Sequence, residues 1–401
     1  MDNFASLGLP PVLIATLNNL GFTTPTPIQA AAIPHALQGK DILGSAQTGT
    51  GKTAAFGIPL IAKLLANPTG SALVMTPTRE LAVQVMSMLQ KLLGGTRINT
   101  ALLIGGEDMF KQLRQLKNEP RLIVGTPGRI NDHLNRRTLK LDNADFLVLD
   151  ETDRMLDMGF GIQIDEIVTY LPKQRQTLLF SATLPSGIVK LSGKYLTDPV
   201  RVSMGATNLP IERISQENIQ LQEDDKFSQL VLQLQQREGS IIVFVKTKIG
   251  ADRMARKLRS MQHLADAIHG DLRQKQRDKA IAAFRNKDCR IMVATDIAAR
   301  GLDIPHIEHV INYDLPQCAE DYIHRIGRTA RAGAEGAAVN LITPQDKGKW
   351  IAIRRLLNPS EKIEQSSGGG AGKKRSFGGR SNNFRSSSAP KRSFGKPRQA
   401  A

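Results

Sequence analysis

The segment Ala46-Gln47-Thr48-Gly49-Thr50-Gly51-Lys52-Thr53 has the makings of a phosphate-binding loop. Its glycines let the backbone curl until successive N–H groups converge on one point, Lys52 is placed for β- and γ-phosphates, and the Thr53 hydroxyl suits Mg²⁺. A helix opening near Thr53 adds the partial positive charge of its N-terminus. Ala46 stands where the strict pattern has glycine, so the loop departs from it at one position. Further along, the apolar run Phe146–Leu149 leads straight into Asp150-Glu151-Thr152-Asp153. A strand ending in acids puts carboxylates at the carboxyl edge of a sheet, where open α/β sheets bind ligands. There Asp150 can hold a metal through water and Glu151 can orient the attacking water. Gly51-Lys52-Thr53 opening a helix is a strong signal, with a plain Gly-rich turn the lesser alternative, whereas the acids alone read equally as a solvated loop. Together they read as a site that hydrolyses a nucleoside triphosphate.

Phosphoryl transfer also needs positive charge on the γ-phosphate. His324-Arg325-Ile326-Gly327-Arg328-Thr329-Ala330-Arg331 supplies it. A solvated basic helix face is the bland alternative, but arginines three apart share one face, and Gly327 and Gly333 form turns beside them. If Arg328 and Arg331 reach the nucleotide from a second lobe, hydrolysis requires the lobes to close. Arginine fingers contribute roughly 10³–10⁵ in rate, so an open form is nearly inactive.

The elements that must position these groups alternate in type. Candidate strands are Ala72–Thr76, Ala101–Ile104, Leu122–Val124, Phe146–Leu149 and Thr177–Phe180, with amphipathic stretches such as Glu80–Leu92 and Met109–Lys117 between them. Ser203–Ser215, with Gly205, Asn208 and Pro210, reads as a linker. Strands then resume at Ile241–Val245, Arg290–Ala294, His309–Asn312 and Ala338–Ile342, with helices near Ala251–Ser260 and Gln274–Arg285. Strand–helix alternation of this kind predicts parallel α/β sheets covered by helices on both faces. The expected division is 1–202, a linker at 203–215, a second lobe at 216–363 and a tail at 364–401.

Composition agrees with two cores and a polyanionic partner. The chain has 401 residues, 4% aromatic, with a formal net charge of +17. Residues 366–401 carry nine Lys and Arg and no acid, leaving a mildly basic body. That tail, rich in Gly, Ser and Asn with Phe377, Phe384 and Phe394 interleaved, lacks the apolar content to fold and is expected to be disordered. Cys289 and Cys318 fit no metal or redox spacing and read as reduced thiols. No run approaches the roughly 18 apolar residues of a membrane span, so an intracellular, cytoplasmic protein is expected.

Taken together, these residues resemble the DEAD-box RNA helicase family over about Phe4 to Ile342. The resemblance implies two tandem RecA-like lobes with ATP and Mg²⁺ bound between them. Gly21-Phe22-Thr23-Thr24-Pro25-Thr26-Pro27-Ile28-Gln29 is similar to the family's adenine-reading motif, with Phe4 as its upstream aromatic. By that likeness Phe22 stacks on adenine and Gln29 hydrogen-bonds its edge, preferring ATP. Pro77-Thr78-Arg79-Glu80-Leu81-Ala82, Gly105-Gly106 and Thr126-Pro127-Gly128-Arg129 resemble RNA-backbone contacts of the first lobe, and Gln274, Arg277 and Thr295 those of the second. Such hydroxyls, guanidinium groups and loop N–H groups are the donors phosphates require. Ser181-Ala182-Thr183 is similar to the motif that couples ATP state to RNA state, with Asp153 as its partner in that coupling; Asp303 resembles the residue that holds the ribose. His324 and Arg325 are expected to join their motif to the acidic loop, leaving Arg328 and Arg331 as fingers. The tetrad here is Asp-Glu-Thr-Asp, with Thr152 replacing the family's alanine; the acids the chemistry needs are all present. The compact body with a basic Gly/Ser/Phe tail looks like the bacterial RhlE-type group.

The resemblance further implies an RNA-stimulated ATPase that bends one strand of a short duplex, contacts backbone rather than bases, and has a monomeric core. The tail is expected to tether RNA, through charges on phosphates and rings on bases. A DNA translocase on the same scaffold, an RNA-annealing chaperone with incidental hydrolysis, and a purely structural basic protein are the competing readings. Target RNA and partners, whether in ribosome assembly, RNA decay or cold adaptation, stay open at this level.

Overall fold

The computed structural model describes residues 3–46, 49–181, 186–203, 213–299, 304, 306–330 and 335–358. Two fully parallel sheets organise them. The first is built from β1 (Ile42–Ser45), β2 (Ala72–Met75), β3 (Thr100–Leu103), β4 (Leu122–Gly125), β5 (Phe146–Leu149), β6 (Gln176–Ser181) and β7 (Val200–Ser203), in the spatial order β3-β4-β2-β5-β6-β1-β7. Its helices are α1 (Pro11–Asn19), α2 (Pro27–Leu37), α3 (Lys52–Ala66), α4 (Arg79–Leu93), α5 (Met109–Lys117), α6 (Pro127–Asn135), α7 (Thr152–Asp157), α8 (Gly161–Val168) and α9 (Ser186–Tyr195). The second sheet contains β8 (Ile214–Gln220), β9 (Ser240–Phe244), β10 (Ala265–Ile268), β11 (Ile291–Ala294), β12 (Ile307–Asn312) and β13 (Gly336–Ile342), ordered β10-β11-β9-β12-β13-β8. Around it lie α10 (Lys226–Gln236), α11 (Lys248–Ser260), α12 (Gln274–Arg285), α13 (Asp296–Ala299), α14 (Ala319–Ile326) and α15 (Lys347–Leu357).

The continuous apolar strands follow from burial on both faces. In β5, Phe146 and Val148 enter one core while Leu147 and Leu149 enter the core on the opposite face. In β9, Ile242 and Phe244 divide from Ile241 and Val243 in the same way. The period of two thus gives each lobe two cores, made mostly of Leu, Ile, Val and Ala. The register also aligns functional segments: Ser45 pairs with Ser181 across β1 and β6, and the Ala46 N–H donates to Ser181 O at 3.1 Å.

Strands with strong apolar runs fall within a residue or two of their expected positions. β7, β8 and β10, by contrast, were not anticipated, and all three are edge strands. An edge strand leaves residues wet; β8 reads Ile-Ser-Gln-Glu-Asn-Ile-Gln and buries only Ile214. The expected linker overlaps real strands, because Ser203 closes β7 and Ile214–Ser215 open β8. Residues 204–212 and the tail from 359 onward lie outside the described residues.

Candidate active site

The phosphate loop joins β1 to α3. Gly51 caps α3 with φ +92°, a left-handed conformation that favours glycine. A Cβ there would also lie 2.5 Å from Gln29 Nε2 and 3.0 Å from Thr26 Oγ1. That crowding exists because α2 packs onto the loop: Gln29 Nε2 donates to Gly51 O (3.1 Å) and Thr26 Oγ1 to Thr50 O (2.8 Å). Gln29 Oε1 accepts from the Thr26 N–H at 2.9 Å, closing the N-terminal turn of α2 as a capping box. Expected to read adenine, Gln29 therefore also braces the loop. An amide has two N–H donors and two oxygen lone pairs, so one of each is left for a base. Phe4 is buried and meets half-buried Phe22 edge-on, ring centroids 6.1 Å apart. Phe22 is thereby held against Phe4, its ring partly exposed.

Lys52 curls back so that Nζ donates to Ala46 O at 2.7 Å. Facing it, at the carboxyl end of β5, Asp150 is 2% exposed. Burial pushes its carboxyl up to about 7, against the pull of the Lys52 ammonium. Glu151 adopts φ +53°, ψ 50°, a region rare for non-glycine residues and typical of functional turns. Its N–H donates to Asp150 Oδ1 (3.0 Å), and its carboxylate accepts from Arg154 Nη1 (2.8 Å) one turn along α7. Thr152 is fully buried, its hydroxyl donating to Leu149 O at 3.2 Å, so the extra group is satisfied in place. A buried carboxyl at the end of β5, facing Lys52 of the phosphate loop, and the Thr53 hydroxyl that follows Lys52 on α3 are the kinds of oxygen donor Mg²⁺ takes. Such an ion typically takes one or two carboxylates plus phosphate oxygens and keeps its waters.

At the junction of the lobes the guanidinium groups converge. Arg277 of α12 donates through Nε to Glu80 Oε1 of α4 at 2.7 Å, both side chains 6% exposed, and through Nη1 to His269 O. Arg79 Nη1 donates to Gln274 Oε1 at 3.3 Å. Burial first, then the charge of Arg277 and, more weakly, Arg129, lower the proton affinity of Arg79. Three guanidinium groups from two lobes therefore share one region. Gly105 and Gly106 lie beneath Arg79, and at Gly106 (φ +79°) a Cβ would fall 2.4 Å from Arg79 Nη1 and 3.3 Å from Gln274 Cβ. Thr78 caps α4 through its hydroxyl, with Pro77 buried before it. Buried Thr126 and Thr295 precede α6 and α13, and Arg129 lies against Asp132 and Met109 Sδ.

Arg277 and Gln274, expected at the RNA backbone, are buried and engaged, Arg277 with Glu80 and Gln274 with Arg79 and Asp278. Arg325, expected to join its motif to the acidic loop, meets groups of the second lobe. Its Nε and Nη2 grip Asp296 at 2.5 and 2.7 Å, Nη1 donates to Asn312 Oδ1 and Asp314 O, and Phe244 lies 4.8 Å beneath it. His324 is half-buried on α14, and its carbonyl accepts from Arg328 Nε at 3.0 Å. Ser181 is fully buried at the end of β6, and Asp153 accepts from the Arg154 N–H through Oδ1. Thr48, Thr183, Asp303 and Arg331 lie outside the described residues.

Sequence reasoning missed Glu80, Asp296 and Arg154. Arg154 had a local signal, since it stands three positions beyond Glu151 on a helix. Glu80, an acid within a phosphate-contacting segment, was an anomaly that pointed to a cation elsewhere.

Residues 26–191 match the DEAD/DEAH box helicase family, and residues 223–333 match the helicase conserved C-terminal domain. The chain is 46% identical over 358 residues to the DEAD-box ATP-dependent RNA helicase CshA of Bacillus cereus, covering 88% of this chain and 68% of that protein. With CshA of Bacillus subtilis it shares 45% over 355 residues, 88% and 72% of the two chains. Among solved structures it resembles Saccharomyces cerevisiae Dbp5 bound to RNA and ADP BeF3, with 32% identity, 90% and 95% coverage and a TM-score of 0.81. A DEAD box protein from Methanococcus jannaschii is 41% identical over 88% and 97% of the chains, with a TM-score of 0.51. The phosphate loop, the buried acids and the converging arginines thus sit in a scaffold shared along most of its length, and the chain belongs to the DEAD-box family of ATP-dependent RNA helicases.

Proposed function

We propose that ATP and single-stranded RNA together close the two lobes, that the RNA backbone is gripped across both, and that hydrolysis reopens them after one strand of a short duplex has been bent out of pairing. The observation that carries this reading is the buried Arg277–Glu80 pair, a contact that exists only while the lobes are together. Known relatives lend support: likeness over the whole chain is greater to the RNA- and ADP BeF3-bound relative than to a relative of higher identity. The lobe sequences are similar in both, so the arrangement of the lobes is the natural source of the difference.

In this reading Phe4, Phe22 and Gln29 hold adenine, the loop from Thr48 to Thr53 cradles the phosphates and Asp303 holds the ribose. Glu151, kept in its turn by Arg154, orients the attacking water. Arg328 and Arg331 meet the charge that develops on the γ-phosphate, a contribution of roughly 10³–10⁵ in rate for such arginines. Thr53 and Asp150 would hold Mg²⁺, which when bound neutralises phosphate oxygens. Pro77, Thr78, Arg79, Gly105, Gly106, Thr126, Arg129 and Thr295 line the backbone track, and Gln274 and Arg277 clasp it shut. Asp153, Ser181, Thr183 and His324 relay closure to the acids. Contacts to backbone make recognition independent of base sequence.

The division into lobes at 1–202 and 216–363, a link at 203–215 whose ends fall in β7 and β8, and an RNA-tethering tail at 364–401 belongs to the same proposal, as do a cytoplasmic location and a monomeric core. The tail's Gly, Ser, Phe, Lys and Arg composition is what supports an RhlE-type placement, while the relatives named above are CshA helicases. Deleting residues 366–401 is expected to weaken RNA binding and to make its salt dependence shallower by at most about 6.

The test is ATP hydrolysis without nucleic acid, with single-stranded RNA and with matched DNA, using Glu151→Gln as the control. Stimulation by RNA alone, lost in the control, is expected. Equal stimulation by DNA would replace this reading with a DNA motor, and indifference to both would end the idea of coupled closure.

A further inference from the structure

We propose that an asparagine ladder inside the second lobe is a positioning device for Arg328; the inference rests on the reading that Arg328 serves the γ-phosphate. Asn312 of β12, Asn340 of β13 and Asn218 of β8 are register partners on three adjacent strands. Asn312 and Asn340 are both fully buried, on strands whose other buried side chains are mostly apolar. Unpaired, such amides would be costly, and here every link is made. Asn312 Nδ2 donates to Asn340 Oδ1 (2.8 Å), and Asn340 Nδ2 donates to Asn218 Oδ1 (2.7 Å) and to the Tyr322 hydroxyl (2.9 Å). Tyr322 in turn donates to Gln216 Oε1 (2.7 Å) on β8.

The direction of the chain is set at its other end. Arg325 Nη1 donates to Asn312 Oδ1 at 3.0 Å. A guanidinium can only donate, so Asn312 must turn its oxygen to Arg325 and its nitrogen to Asn340, and each later group must follow. Donors pointing one way along a buried chain polarise one another, and a fully satisfied network of this kind specifies a single arrangement. The ladder holds two residues of α14, Tyr322 and Arg325, one turn apart. Arg325 is further locked by Asp296. Arg328 springs from that anchored turn: its N–H donates to Arg325 O and its Nε to His324 O, each at 3.0 Å. The sheet thus fixes the root of a side chain that must meet its target within a fraction of an ångström, and it does so from β8, the strand that follows the interlobe segment.

The experiment compares Asn312→Leu, Asn340→Leu, the double variant and Asn340→Thr. Each single Leu variant strands one buried amide and should lower Tm. The double variant removes both partners, which is far less costly, and should regain much of that Tm. Positioning predicts that kcat for RNA-stimulated hydrolysis nevertheless stays low in the double variant, by up to about a hundredfold, while KM for ATP holds. Asn340→Thr keeps one donor and two acceptors and should restore part of kcat. Amide exchange across residues 319–330, measured with neither ATP nor RNA, should quicken in the double variant. A double variant that regains Tm and kcat together, or whose exchange in that segment matches the wild type, overturns the proposal. Because exchange is read without ligands, a wild-type protein that RNA fails to stimulate would refute the functional reading while leaving the ladder still decided by this second measurement.

Discussion

Replacing Arg277 by methionine asks whether its pair with Glu80 closes the lobes or whether Arg277 serves RNA directly. The two side chains meet at 2.7 Å with 6% exposure each, and they belong to different lobes. Removing one partner of a buried ion pair costs about 3–5 kcal/mol when the remaining charge stays buried. Here the stranded Glu80 has an escape, since parting of the lobes returns it to water. The cost therefore falls on closure and spares the folding of either lobe. With each 1.4 kcal/mol worth a factor of ten, the closed population falls by roughly 10² to 4 × 10³ at most. The assay is fluorescence energy transfer between one dye on each lobe, titrated with RNA in the presence of a non-hydrolysable ATP analogue. Arg277→Met and Glu80→Met should each shift the RNA concentration for half-closure strongly upward. The double variant, with no charge left stranded, should close more readily than either single variant, because neighbours in one pair are not additive. Equal or additive damage in the double variant would refute the clasp and return Arg277 to the role of a phosphate contact.

Other perturbations probe single points of the geometry. Gly51→Ala places a Cβ 2.5 Å from Gln29 Nε2 at a φ of +92°, so ATP binding should be lost; wild-type affinity for a fluorescent ATP analogue would contradict the close packing of loop and α2. Thr152→Ala removes one buried hydrogen bond, a stability loss of about 1 kcal/mol visible as a small drop in Tm, with turnover largely kept. Loss of most ATPase activity in that variant would show that the hydroxyl acts in the reaction. Cys289 is buried and its thiol is pushed up to about 11, chiefly by burial, whereas Cys318 is exposed. A thiol reagent should label Cys318 quickly and Cys289 only after unfolding, and rapid labelling of both would mean that the core around β11 opens readily.

Much of the site was legible because its chemistry is local. Gly49, Gly51, Lys52 and Thr53 fall in one loop, and Asp150, Glu151 and Asp153 in one turn, so their spacing alone suggested phosphate and water. The cores of β2, β4, β5 and β9 were equally plain, since strands buried on both faces must be apolar throughout. Edge strands such as β8 and β10 gave no such run. The ladder was invisible for a related reason: three asparagines scattered over more than a hundred residues become one feature only when β12, β13 and β8 lie side by side.

By itself, then, the order of residues determined the two-lobed α/β plan, the phosphate loop and the acidic edge, because each follows from the periodicity or composition of a single continuous segment. Tertiary structure alone decided where the arginines go. A guanidinium binds a phosphate or a carboxylate with the same planar fork, so nothing in their spacing could tell an RNA contact from a structural tie. Arg277 meets Glu80 from 197 positions away, and Arg325 meets Asp296 across 29. Those partners are set by which surfaces the packed sheets bring within reach.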